Sequence, residues 1–342
     1  MVFNILFLII GFIILIKGAD ILVSGSSSLA KKFGLSGLMI GLTVVAFGTS
    51  APELIVNIFS SLAGSSDIGM GNIIGSNISN ILLILGISAI ICNLQVADSV
   101  IKKQLPFSIL SVLVLFFLIN SSMLNSAGVD GLFRSGGFIL LTFFAISLHF
   151  TFSLSPKTTS DAKGKIKDIF KYILFFFLTK KREKREEDIK DLNIWLILAL
   201  IILGMIGLFI GGKLIVDNAT ELALAVGLSQ AFIGLTVVAL GTSLPELAAS
   251  IIAARKNQIQ MAVGNVIGSN IFNLLWVLGI SSIIKPIDFN PALNFDILFL
   301  IFVSILLFGL IYMGKRFYFT KKEGYILVGL YIAYIIFISF RG

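Results

Sequence analysis

Long apolar runs alternate along the chain with short polar or glycine-containing breaks, and ten of these runs approach the ~20 residues that carry a helix across a bilayer. They cover 3–30, 36–61, 68–92, 104–120, 132–153, 193–221, 229–254, 260–284, 293–312 and 324–340. Within each run the apolar residues are continuous and do not alternate with polar ones, which argues against a β-barrel. Helices satisfy every backbone polar group inside hydrocarbon, so the pattern predicts an all-α integral membrane protein with ten transmembrane helices.

The polar positions inside the runs repeat. Residues 41–54 recur at 234–247, and 71–80 recur at 264–273, both with an offset of 193. Two five-helix repeats are therefore expected, 1–153 and 193–342, joined by a polar stretch at 154–192 that reads as a cytoplasmic linker. Because five is odd, equivalent helices cross in opposite directions and the repeats are inverted, an architecture of secondary transporters. Within the linker, 169–178 is apolar but too short to span and is expected to lie at an interface, whereas 180–188 mixes both charges and reads as solvated.

Composition fits a lipid-solvated chain: 57% of the 342 residues are hydrophobic, 13% are charged, and mean hydropathy is +1.04. The net charge of +8 does not point to nucleic acid, because the basic residues sort by connection. Twenty-one of the 26 Lys and Arg residues fall in odd-numbered connections and three in the even ones and the ends. Positive-inside bias then places the odd connections in the cytoplasm and both termini outside an inner membrane. The first residues lack the basic n-region and cleavage site of a signal peptide, so the first run is expected to remain as a span. A single cysteine, Cys92, leaves no intrachain disulfide to expect; with a single histidine, His149, it argues against a transition-metal cluster. His149 is expected to play an interfacial structural role.

Glu53 and Glu246 interrupt otherwise uncharged spans at equivalent positions of the two repeats. A carboxylate in the bilayer centre costs at least ~2.5 kcal/mol and marks function by default. Their summed charge matches one Ca2+, which favours a shell of carboxylate, carbonyl and amide oxygens. Pro52 and Pro245 deny a backbone donor to the Gly48 and Gly241 carbonyls, bending the helix and freeing oxygens. On a helix Ala46, Thr49, Ser50 and Glu53 share one face, as do Ala239, Thr242, Ser243 and Glu246. Asn72, Ser76 and Asn80 form a second polar stripe, matched by Asn265, Ser269 and Asn273. Gly71 with Gly75, and Gly264 with Gly268, form GxxxG patterns that permit close helix approach.

At these residues the chain resembles the sodium/calcium exchanger family of cation/calcium antiporters. The likeness rests on Gly48-Thr49-Ser50-Ala51-Pro52-Glu53 and Gly71-Asn72-Ile73-Ile74-Gly75-Ser76-Asn77, with their copies starting at Gly241 and Gly264. It implies a central Ca2+ site formed by Glu53, Glu246 and the Thr49 and Thr242 carbonyls. Flanking Na+ sites would use Ser50, Ser76, Ser243, Ser269 and the Ala46 and Ala239 carbonyls, with Asn80 and Asn273 lining the centre. Potassium-dependent relatives, and some others, carry an acid where Asn273 stands, and the proton-coupled branch typically has an acid in the corresponding helices. Their absence disfavours K+ and H+ coupling. The resemblance also implies that the first and sixth helices slide to switch access, with Asp217 and Glu221 at a cation entrance.

Lys17 with Asp20 and Lys213 with Asp217 have the spacing for ion pairs within those two helices. The expected partners are Ca2+, Na+ and lipid, without nucleic acid or a resident cofactor, for a monomer. A Ca2+-selective channel is the rival reading; no nucleophile and base pair suggests an enzyme.

Overall fold

The structure is a computed structural model, and it describes residues 2–64, 66–124, 130–152, 193–225, 239–313 and 317–341. The first repeat contributes α1 (Val2–Phe33), α2 (Gly37–Thr49), α3 (Ala51–Ala63), α4 (Ser66–Ile91), α5 (Val100–Ile119) and α6 (Arg134–Phe152). The second contributes α7 (Ile194–Ala225), α8 (Ala239–Thr242), α9 (Leu244–Arg255), α10 (Ile259–Ile284), α11 (Asn294–Met313) and α12 (Lys321–Arg341). Among the described residues eight helices are long and apolar enough to cross a membrane; α2 and α3, bent by 43° where they meet, pass the same test together and make nine if the pair is one span. The linker with its apolar stretch at 169–178, and the first half of the seventh run, 226–238, lie outside the described residues.

Burial separates the helices into two sets. α4 and α10 are 78% buried along their spans, whereas α1, α6 and α7 are only 28% buried. The sequence explains the division: the inner pair carries the Gly, Ser and Asn positions, and the outer helices present Leu, Ile and Phe to lipid. Gly264 and Gly268 let α10 press against α2; a Cβ there would stand 2.7 Å from the Leu38 oxygen and 2.9 Å from the Leu42 oxygen respectively. Around Gly71 and Gly75 no described residue comes within 4 Å of such an atom, the corresponding stretch being 226–238.

Outside this core α1 and α7 form a close pair. Gly18 faces the Leu208 backbone nitrogen at 2.7 Å and Gly204 faces that of Leu22 at 2.6 Å, measured from an added Cβ, so neither position has space for a side chain. α12 crosses the end of α4 at Gly86 and Gly324, and α6 crosses the end of α10 at Gly137 and Gly279. Gly86 and Gly279 are again separated by the offset of 193.

Two pairs of short antiparallel strands tie the connections together. β1 (Leu94–Gln95) pairs with β4 (Tyr318–Phe319), and β2 (Gly131–Leu132) pairs with β3 (Ile287–Asp288). Bonded connections must share a side of the membrane. The connections after α4 and before α12 therefore lie together, as do those after α5 and after α10.

The charged pairs in the outer helices resolve differently. Lys213 pairs with Asp217 at 3.8 Å, as the spacing predicts. Asp20 does not pair with Lys17; it binds Lys256 at 2.6 Å, and the same ammonium donates to Ser24 at 2.7 Å. A residue beyond the end of α9 outcompetes the i−3 neighbour because it reaches a carboxylate and a hydroxyl at once. His149 lies exposed near the end of α6 beside Phe150, and Cys92 is a free thiol.

Candidate cation site

Proline sets the local geometry of the site. Ser50 and Ser243 leave the helical path, at φ −83° ψ 4° and φ −86° ψ 0°, and Pro52 and Pro245 occupy the first turns of α3 and α9. Proline tolerates that place because its missing N–H is not needed there. Glu53 and Glu246 then fall in the first turns of these two helices. Each carboxylate sits on the positive end of a helix dipole, with its own backbone N–H against it, which lowers the cost of an acid inside the membrane.

The two helix pairs meet through side chains that cross between repeats. Ser50 donates to Glu246 Oε1 at 3.2 Å, and Ser76 donates to Glu53 Oε1 at 3.2 Å. The Ser76 hydroxyl also meets that of Ser243 at 3.1 Å and accepts from Asn273 Nδ2 at 3.4 Å. Thr49 meets Ser269 at 3.3 Å and donates to Asn265 Oδ1 at 3.2 Å, while Thr242 donates to Asn72 Oδ1 at 2.9 Å.

Among the described residues, four buried oxygens of the expected site have no hydrogen-bond partner: Glu53 Oε2, Glu246 Oε2, Asn80 Oδ1 and Asn273 Oδ1. All four side chains are fully buried. They form two repeat-equivalent pairs, and all are acceptors. Leaving buried acceptors unsatisfied costs about 1–3 kcal/mol each, more for a carboxylate. Acceptor oxygens of this kind suit a hard cation, which takes carboxylate and amide oxygens as ligands.

Of the twelve residues expected from sequence, Thr49, Ser50, Glu53, Ser76, Ser243, Glu246, Ser269 and Asn273 join one another directly in this cluster. Thr242 and Asn80 make cross-repeat bonds of their own, to Asn72 and Asn270. The Ala46 carbonyl already accepts from Ser50 N at 2.9 Å and Thr49 Oγ1 at 3.3 Å. Ala239 opens α8, and its side chain lies outside the described residues.

Sequence reasoning overlooks several supports. Asn57 donates to the Gly69 carbonyl at 2.7 Å, and its equivalent Ser250 accepts from Asn265 at 2.9 Å. Both follow a glutamate by four residues in an apolar span, which was the available signal. Asn270 is overlooked as well. So are the wide turns at Asn80 and Asn273, whose carbonyls each accept from the residue five positions on, Leu85 and Leu278. Such π-type turns gather at functional sites because they break the regular register of a helix.

The profile of the sodium/calcium exchanger protein family matches residues 3–153 and 196–340, nearly all of both repeats. The chain belongs to the sodium/calcium exchanger family. Two prokaryotic relatives match along nearly their whole length. The inner membrane protein YrbG of Escherichia coli is 35% identical over 335 residues, covering 96% of this chain and 94% of that one. The sodium/calcium exchanger MaX1 of Methanosarcina acetivorans is 31% identical over 344 residues, 97% of each chain. A solved structure of the sodium-calcium exchanger NCX_Mj, soaked with Na+ and Ca2+, matches with a TM-score of 0.77 and 31% identity over 98% of both chains.

Proposed function

We propose that this exchanger is a Na+/Ca2+ antiporter that extrudes Ca2+ at the expense of the Na+ gradient, by alternating access and independently of K+. The observation that carries the reading is the set of four unpartnered buried oxygens on Glu53, Glu246, Asn80 and Asn273. In this reading the two carboxylates and the Thr49 and Thr242 carbonyls hold Ca2+. Na+ binds at flanking positions built from Ser50, Ser76, Ser243, Ser269 and the Ala46 and Ala239 carbonyls, with the two asparagines lining the centre.

The ions compete because their ligands converge on the same two acids. Two carboxylates balance one Ca2+ or two Na+, and a further Na+ gives the loaded carrier excess positive charge, so exchange is electrogenic. Empty, the site carries two bare carboxylates whose passage through a dry barrier is costly, which suppresses leak. Asn273 supplies no third carboxylate for K+. The spans form ten helices in two inverted repeats with both termini outside an inner membrane, and the monomer is the working unit. The α1 and α7 pair, packed on itself and weakly buried, slides over the core to change access.

The test is Ca2+ flux in proteoliposomes under an imposed Na+ gradient, with and without K+ and a pH gradient. Na+-driven flux in K+-free medium is expected. Flux without any counter-ion would make the protein a channel, and a strict need for K+ or a proton gradient would replace the coupling ion. Glu53→Gln and Glu246→Gln are each expected to remove at least about 99% of exchange, because each deletes half the charge that balances a divalent ion.

A further inference from the structure

An asparagine can serve a cation only with its oxygen end, since the other end of the same amide is a pair of N–H donors. Which end of Asn80 faces the site must therefore be set by something else. In the structure Asn80 Nδ2 donates to Asn270 Oδ1 at 2.9 Å, across the interface between the repeats, and both side chains are buried. With its amino end tied back to Asn270, Asn80 is left with a buried Oδ1 that has no partner among the described residues.

The equivalent pair behaves otherwise. Asn77 stands where Asn270 does, but its Nδ2 returns to the Ile73 carbonyl of its own helix at 2.7 Å. Among the described residues Asn77 Oδ1 is buried without a partner, and Asn273 donates only to Ser76, at 3.4 Å. One of the two central amides is thus held by a short cross-repeat bond and the other by a long contact.

We propose that Asn270 is a positioning residue for Ca2+ binding: it holds the Asn80 amide so that its oxygen, and not its amino group, is presented to the ion. The inference rests on the cation site described above. Asn270 touches no ion itself. It acts by fixing one of two orientations that have nearly the same shape and opposite electrostatics toward a cation.

The experiment uses the full chain in proteoliposomes, reading the Ca2+ concentration dependence of Na+-driven flux together with thermal stability in detergent. Asn270→Leu is expected to raise the apparent KM for Ca2+ about tenfold or more, with a smaller change in maximal rate. Asn270→Asp, which keeps an acceptor oxygen facing Asn80, is expected to stay within about threefold of the parent. Asn80→Asp presents oxygen at both ends and has no orientation to set. On that background Asn270→Leu should change KM by less than about twofold. If the Leu variant does not fold, Asn270→Ala carries the same expectations. An unchanged KM in the Leu and Ala variants overturns the proposal, as does an equal loss in the parent and Asn80→Asp backgrounds, the mark of a merely structural role. A parent protein with no saturable Ca2+ dependence would instead refute the site reading, and this inference with it.

Discussion

Each of the two central glutamates accepts one hydroxyl hydrogen bond among the described residues, Glu246 from Ser50 and Glu53 from Ser76, but the two serines are not equally connected. Ser76 also carries the contacts to Ser243 and Asn273, so a single oxygen links Glu53 to the second repeat. Ser76→Ala is therefore expected to raise the apparent KM for Ca2+ about tenfold, the scale of a lost hydrogen bond to a charged group, and Ser50→Ala less than about threefold. Equal effects of the two substitutions, measured in the same flux assay, would show that the unequal support does not matter. The carboxylates, threonines and serines were legible in the sequence because one helical face and one offset fix them. Asn270 was not. Its role depends on which amide end meets Asn80 across an interface, and no spacing along one helix encodes that.

At the scale of the element, the decisive features are places where helices depart from regularity or approach without side chains between them. The breaks at Ser50 and Ser243 follow from proline and were predictable; the wide turns at Asn80 and Asn273 carry no proline or glycine signal at the turn itself and were not. The crossing of α10 over α2 depends on Gly264, where an added Cβ would stand 2.7 Å from the Leu38 carbonyl oxygen. Backbone cannot yield as a side-chain end can, so Gly264→Val should destabilise by about 1–3 kcal/mol or more. Gly309, around which no described atom comes within 4 Å, provides the contrast: Gly309→Ala should be neutral or mildly stabilising in the helix. Thermal unfolding in detergent checks both. The contact of Lys256 with Asp20 and Ser24 joins α1 to the end of α9. It is partly exposed, with 36% of the lysine and 48% of the aspartate side chain accessible, so Lys256→Met should cost under about 1 kcal/mol of stability. An unfolding shift well beyond that would mean the pair is more than a solvated tie.

For the whole molecule, the apolar runs predicted the helices of the described residues to within a few residues, because a bilayer dictates span length and internal bonding more strictly than water does. What the runs could not predict is the order of burial, with α4 and α10 at the centre, or the strand pairs that bind distant connections; both arise from packing between repeats. Electrogenic exchange belongs to this scale as well. Each net charge moved through the full potential is worth ~2.3 kcal/mol per 100 mV, so a negative interior should accelerate Na+ influx against Ca2+ efflux in liposomes with a clamped diffusion potential. Rates indifferent to voltage would mark the exchange as electroneutral.

The hydrogen bonds that cross between the repeats have a genetic consequence. Ser50 with Glu246, Ser76 with Ser243, Thr49 with Asn265, Thr242 with Asn72 and Asn80 with Asn270 each join a residue before the linker to one after it. Neither 1–153 nor 193–342 contains a finished site, so a gene cut within the linker region should give two silent fragments that complement when co-expressed. An inactivating lesion in one fragment should then be rescued only by an intact copy of that same fragment, never by a surplus of its partner.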